Sequence, residues 1–233
     1  MKEKIKKWWN RNPCCITNSQ KTGKEFFREV EQVVYSMHPW MKNYFNDCGN
    51  KVILEVGCGL GRDLVQFARK GAIVTGLDMS SESIKLAKQN FKLNNLKANF
   101  FIGDAENLSF LDKSFDIVYS YGVLHHTVDT QKGLDEIHRV LKPGGKAIVM
   151  LYNKWSLVRL THPDIRKYEG RKPEEKEKCP VLQIFSTTEV KKMFSEFSSI
   201  KITKRFVGNK LEKYLPDAIK RRIGWHIISE AIK

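Results

Sequence analysis

No stretch of this 233-residue chain is apolar for long enough to span a bilayer, which takes about 18 consecutive apolar residues. That predicts a soluble protein. Its five cysteines, at 14, 15, 48, 58 and 179, fall in no C-x-x-C pair and no other ligand spacing, so a structural zinc or iron–sulfur site is not expected. An odd count with no secretory leader in view predicts a reducing, cytoplasmic setting, with the Cys14–Cys15 pair read as buried or semi-buried thiols rather than a redox site. No G-K-[ST] follows a glycine loop, which excludes a P-loop. There is no internal repeat and no low-complexity tract.

Acidic residues are the other scarcity, 26 against 41 lysines and arginines. The imbalance is uneven. Residues 51–150 hold 13 basic and 11 acidic side chains, residues 1–50 hold 9 and 5, and residues 151–233 hold 19 and 10. A near-neutral centre with basic flanks points to an acidic partner, such as an anionic small molecule, RNA or an anionic membrane, or else to a lysine-rich surface without a partner.

What the chain does have is concentrated in Val52–Gly61, Val-Ile-Leu-Glu-Val-Gly-Cys-Gly-Leu-Gly. A short apolar run entering glycines at 57, 59 and 61 reads as a buried parallel strand followed by a tight loop. Without Cβ atoms, such a loop lets a nucleotide-like ligand lie against the backbone. A dinucleotide fingerprint needs G-x-G-x-x-G, but here the third glycine comes one residue early and Arg62 takes its place. A second strand, Ala72–Asp78, ends in an acid that can accept two ribose hydroxyls. A third covers Asn99–Asp104, and a fourth begins at Phe115 and runs into His125 and His126. A helix over Thr130–Leu141 leads through Pro143-Gly-Gly to a fifth strand. Strands alternating with helices predict an α/β chain with right-handed crossovers. A helix opening at Ser80 or Ser81 and a capping box at Ser186-Thr-Thr-Glu189, opening a helix through Phe197, fit that alternation.

Together, Glu55-Val-Gly-Cys-Gly-Leu-Gly61, Asp78, Asp104-Ala-Glu106, the fourth strand and Pro143-Gly-Gly resemble the class I S-adenosylmethionine-dependent methyltransferases, closest to the branch with quinone-biosynthesis and natural-product enzymes. The resemblance covers about residues 50–152. It implies a doubly wound, mostly parallel seven-stranded, Rossmann-like sheet. Ser199–Phe206 and Trp225–Ile232 would form its antiparallel C-terminal hairpin. Residues 1–50 are expected to be an N-terminal helical cap, with Phe26, Phe27, Val30, Val33, Val34 and Met37 on its apolar face. Residues 51–233 would form the cofactor domain, with insertions at about 153–185 and 207–224; the second carries a helix over Pro216–Arg222, and Glu169–Pro180 is expected to be mobile.

The resemblance also implies the site. S-adenosyl-L-methionine would meet Glu55, Gly57, Cys58, Gly59, Gly61, Asp78, Met79, Asp104, Ala105, Glu106 and Tyr121. His125 or His126 would stand beside the methyl group as a general base, with nothing to choose between them, or else serve as packing. Trp8, Trp9 and Tyr152 would contact the acceptor, or else the tryptophans only staple the cap to the core; His138 reads as structural and His162 has no assignment. The expected reaction is methyl transfer to a small organic acceptor, with the cap and the insertion after the fifth strand as the roof. The alternatives are an RNA or protein methyltransferase using the basic flanks, or a non-catalytic cofactor-binding module. The fourth motif, Ser120-Tyr-Gly-Val-Leu, lacks the Asn/Asp-Pro-Pro-Tyr/Phe that seats a flipped base, which disfavours nucleic acid.

Overall fold

The computed structural model describes residues 1–13, 19–161, 179–206 and 214–233. Cys14–Cys15, His162, most of Glu169–Pro180 and part of the 207–224 insertion therefore lie outside the described residues. Seven strands form one sheet: β1 (Val52–Val56), β2 (Ile73–Asp78), β3 (Asn99–Ile102), β4 (Phe115–Tyr121), β5 (Leu141–Tyr152), β6 (Ser199–Arg205) and β7 (His226–Ile232). Their order is β3-β2-β1-β4-β5-β7-β6. The first five run parallel, and β7 pairs antiparallel with both β5 and β6. The strand order reverses at β1, with β2 on one side and β4 on the other, so the carboxyl ends of these parallel strands open a crevice.

The helices are α1 (Lys2–Arg11), α2 (Gly23–Met37), α3 (Arg62–Arg69), α4 (Ser81–Leu93), α5 (Thr130–Val140), α6 (Leu157–Thr161), α7 (Thr187–Met193) and α8 (Asp217–Ile223). Alternation along the strands separates two cores. Leu54, Val118 and Val149 face Leu134 and Ile137 of α5 and Val190 and Phe194 of α7 and its end. Their neighbours Ile53, Tyr119 and Ile148 face Val34 of α2 and Leu64 and Phe67 of α3. Helix starts follow their caps. Ser80 Oγ accepts from the Ser83 N–H, and Ser186 with Glu189 forms the full capping box. The helix opened by that box ends at Met193, short of Phe197, although Phe194 and Phe197 stay buried.

The cap differs from its sequence pattern in one respect. Val33 is exposed, and Tyr35 is buried in its place. The reason is polar: the Tyr35 hydroxyl donates to Asp63 Oδ1 at 2.7 Å, a buried hydrogen bond that turns this face of α2 toward α3. At the far side of the sheet, Asn153 is fully buried and ties the chain after β5 to the chain before β7. Its amide donates to the Trp155 carbonyl at 2.9 Å and to the Gly224 carbonyl at 2.7 Å.

Candidate active site

The crevice at the carboxyl ends of β1, β2, β3 and β4 is a cavity roofed by the N-terminal helix. Its floor is the loop from β1 to α3. Gly57, Gly59 and Gly61 all have positive φ, a conformation costly for any residue with a Cβ. Gly57 has a second constraint, because a Cβ there would run into the Val123 side chain. At Gly59 a Cβ would meet nothing within 4 Å, so the backbone lies bare toward the cavity. The loop is pinned from β2: the Gly57 and Cys58 N–H groups donate to the Leu77 carbonyl at 2.7 and 3.0 Å.

Asp78 closes β2. Its two carboxylate oxygens accept from the Gly59 and Ser80 N–H groups, each at 2.9 Å, which fixes the carboxylate in the cavity wall. Burial pushes its pKa up, against those two hydrogen bonds. Glu55 lies deeper. Its Oε2 is buried without a partner, and burial, with Asp63 adding to it, raises its pKa. An acceptor of that kind in a cavity wall calls for a donor from the cavity, preferably a cation.

Beside Glu55, the Arg62 guanidinium grips Asp63 through two bonds of 2.7 Å, and Asp63 also receives the Tyr35 and Tyr119 hydroxyls. Neither Arg62 nor Asp63 stands out by spacing alone, yet both line the cavity. The signal was there: an Arg-Asp pair opening the helix directly after the third glycine.

Asp104 and Glu106 hold a further residue that local pattern gives no reason to choose. Lys2 Nζ lies 2.5 Å from Asp104 Oδ2 and 2.7 Å from Glu106 Oε2. The two carboxylates push the lysine pKa up. α1 continues over the opening, with Ile5 buried and Trp9 on the cavity wall. Ser80 Oγ donates to the Trp9 carbonyl at 3.3 Å. The cap therefore covers the end of the cavity near Asp104.

Of the residues picked from sequence, Glu55, Gly57, Cys58, Gly59, Asp78, Met79, Asp104, Ala105, Glu106, Tyr121, His126 and Trp9 come together in this one wall. Gly61 does not line it; it is the left-handed N-cap of α3, where an added Cβ would come within 3.3 Å of the Ala87 and Phe91 side chains. Trp8 packs edge-on against Trp9, outside the cavity wall. Tyr152 stacks on Trp225 at 4.4 Å and meets the His125 ring at 3.8 Å.

The two histidines separate. His125 is fully buried behind His126, and neither of its ring nitrogens has a partner. Burial drives its pKa well down, so it is a neutral packing ring that does not reach the cavity. His126 does reach it. Its Nδ1 lies 2.7 Å from the Val181 carbonyl, an acceptor only, which puts the proton on Nδ1 and leaves Nε2 as the lone-pair nitrogen. The Trp9 ring meets it edge-on at 5.4 Å, and burial lowers its pKa to about 4.

His38, packed against Trp40, Phe206 and His226, is likewise lowered to about 4 by burial. Both rings are expected to stay neutral from pH 5.5 to 8, read by their ring-proton shifts. The sign follows from linkage: unfolded histidines gain protons below about pH 6.5 while these folded ones do not, so each withdraws stability as the pH falls from there toward 4. Midpoints near 6.5 for either ring would contradict this.

A family model described as a methyltransferase domain matches residues 54–149, the stretch from the β1 floor to the middle of β5. Residues 54–149 thus resemble a methyltransferase domain. Glu55, the bare glycine loop and the pinned Asp78 are chemically suited to a ligand with an ammonium group and a ribose, as S-adenosyl-L-methionine has.

Among curated relatives, the phthiotriol/phenolphthiotriol dimycocerosates methyltransferase of Mycobacterium tuberculosis is 43% identical over 101 residues, 42% of this chain and 37% of that one. The ubiquinone biosynthesis O-methyltransferase of Coxiella burnetii is 36% identical over 104 residues, 45% of this chain and 44% of that one. The chain thus spans less than half the length of these relatives. In fold it is similar to a SAM-dependent methyltransferase from Thermotoga maritima, with a TM-score of 0.66 at 21% identity over 98% of this chain and 99% of that one. A Methanosarcina mazei SAM-dependent methyltransferase gives a TM-score of 0.60 at 24% identity over 82% and 95%. Among the described residues, no helix is long and apolar enough to cross a membrane, and no cluster of three or more His, Cys, Asp or Glu could hold a metal.

Proposed function

We propose that the protein transfers a methyl group from S-adenosylmethionine to a small organic acceptor. The observation that carries this is the single wall on which an orphaned buried carboxylate, a bare glycine loop and a pinned acid at the end of β2 meet His126 and Trp9. Glu55 and the loop would hold the methionine ammonium end, Asp78 the ribose hydroxyls, and Asp104 with Ala105 the adenine edge. Bound there, the cofactor supplies an activated methyl group on a positively charged sulfur.

The chain's own part is mainly placement, which in well-oriented systems accounts for about 7–11 kcal/mol of a barrier. His126 lines the cavity, and with its Nδ1 proton held by the Val181 carbonyl its Nε2 is the nitrogen left with a lone pair. A neutral imidazole lowered to about 4 is a weak base, so it suits orienting an acceptor hydroxyl, or taking the proton of one already acidic, such as a phenol. That one of the two relatives is named an O-methyltransferase supports an oxygen acceptor. The free cysteines among the described residues, Cys48, Cys58 and Cys179, favour a cytoplasmic setting.

The test is transfer of labelled methyl from S-adenosylmethionine into cell extract separated into small-molecule, RNA and protein fractions. Label is expected in the small-molecule fraction and is expected to fall with His126→Ala. Label confined to RNA or protein would replace this reading with a macromolecular acceptor. Cofactor binding without label in any fraction would leave a non-catalytic module.

A further inference from the structure

Two segments beside the crevice expose apolar side chains together with positive charge. β5 ends at Tyr152, and β7, antiparallel to it, begins opposite at His226. The chain after β5 and the chain before β7 therefore emerge at the same carboxyl edge as the cavity. After β5, Trp155 and Leu160 are 64% and 59% exposed; before β7, Tyr214 and Ile219 are 81% and 41% exposed. Single exposed apolar residues are ordinary, but four in two short linked segments are not. The link is Asn153, whose one amide holds the carbonyls of both Trp155 and Gly224.

The charge on these segments is one-sided. Residues 153–161 and 214–224 contain Lys154, Arg159, Lys220, Arg221 and Arg222 against a single acid, Asp217. Asp217 is itself paired with Arg205 at 3.3 Å and Lys220 at 3.5 Å. Lys154 stands 6.0 Å above the Trp155 ring, so an aromatic face and a cation project together. Arg221 and Arg222 are exposed on α8, where no residue is buried.

We propose that this face rests on an anionic lipid surface. Trp155, Leu160, Tyr214 and Ile219 enter the headgroup boundary, and Lys154, Arg221 and Arg222 meet lipid phosphates. RNA would use the same cations, but it gives no reason for Leu160 and Ile219 to face water. The contact turns the carboxyl edge of the sheet toward the bilayer. A methyl acceptor dissolved in the membrane would then meet the cavity without crossing water, a consequence that rests on the methyl-transfer reading, whereas the lipid contact itself does not.

Flotation of the full chain with vesicles tests it. Binding is expected to vesicles of phosphatidylcholine mixed with phosphatidylglycerol, to weaken as salt is raised, and to be absent with phosphatidylcholine alone. Trp155→Ser with Leu160→Ser, and separately Arg221→Glu with Arg222→Glu, should each lower partition roughly tenfold or more. Both variants should keep the melting temperature and the S-adenosylhomocysteine affinity of the parent, so failure of the lipid contact and failure of the cofactor reading show up in different measurements. No flotation with either vesicle, or flotation that survives both double substitutions, would overturn the proposal. So would retention on RNA that the arginine reversals abolish and the Trp155 and Leu160 changes leave intact, which would make the face a nucleic-acid surface.

Discussion

Replacing Asp78 by alanine is expected to weaken S-adenosylhomocysteine binding about a hundredfold or more. Two ribose hydroxyls donating to one carboxylate are charge-assisted bonds of about 1.5–3 kcal/mol each. Losing both costs at least about 3 kcal/mol, which is about a hundredfold in affinity. The substitution also strips the Gly59 and Ser80 N–H groups of their acceptor, so the loop that forms the cavity floor loses a tie. Calorimetric titration of the variant checks it, with circular dichroism confirming that the sheet is intact. An affinity within twofold of the parent would show that Asp78 does not hold the cofactor.

The second large effect concerns α1. Deleting residues 1–13 is expected to weaken S-adenosylhomocysteine binding roughly tenfold and to speed its release. Lys2, Ile5 and Trp9 all line the same cavity as Asp78 and Asp104, so the helix would be part of the surroundings of a cofactor bound there. Exposing even about 60 Å² of apolar contact to water costs about 1.5 kcal/mol. The sequence alone suggests the opposite outcome, a cap serving only the acceptor, with cofactor affinity kept and turnover lost. Stopped-flow release of the cofactor product separates the two. Unchanged affinity and release in the truncated chain would restore the sequence-based view.

The contrast shows which parts of the site are local and which are not. The glycine loop, Asp78 at the end of β2 and the caps at Ser80 and Ser186 depend on residues a few positions apart, and their spacing survives as a readable pattern. The Lys2–Asp104 pair joins positions 102 apart, and the Tyr35–Asp63 bond joins positions 28 apart. Nothing in either neighbourhood announces such pairs, and the second is why Val33 faces solvent while Tyr35 is buried.

The histidines make the same point within two adjacent residues. His125 and His126 are equivalent as letters. The short 3₁₀ turn at Leu124–His126 sends one ring behind the other, against Tyr152, and only His126 into the cavity. Asn153, a lone polar residue after β5, likewise shows its role only once Trp155 and Gly224 are both in place.

The most direct test of the central claim is calorimetric titration of the full-length chain with S-adenosylhomocysteine and, separately, with NAD. The geometry of Glu55, the bare loop at Gly59 and the pinned Asp78 predicts saturable binding of S-adenosylhomocysteine and no measurable heat with NAD. Tighter binding of NAD, or no binding of S-adenosylhomocysteine by the folded protein, would contradict the account.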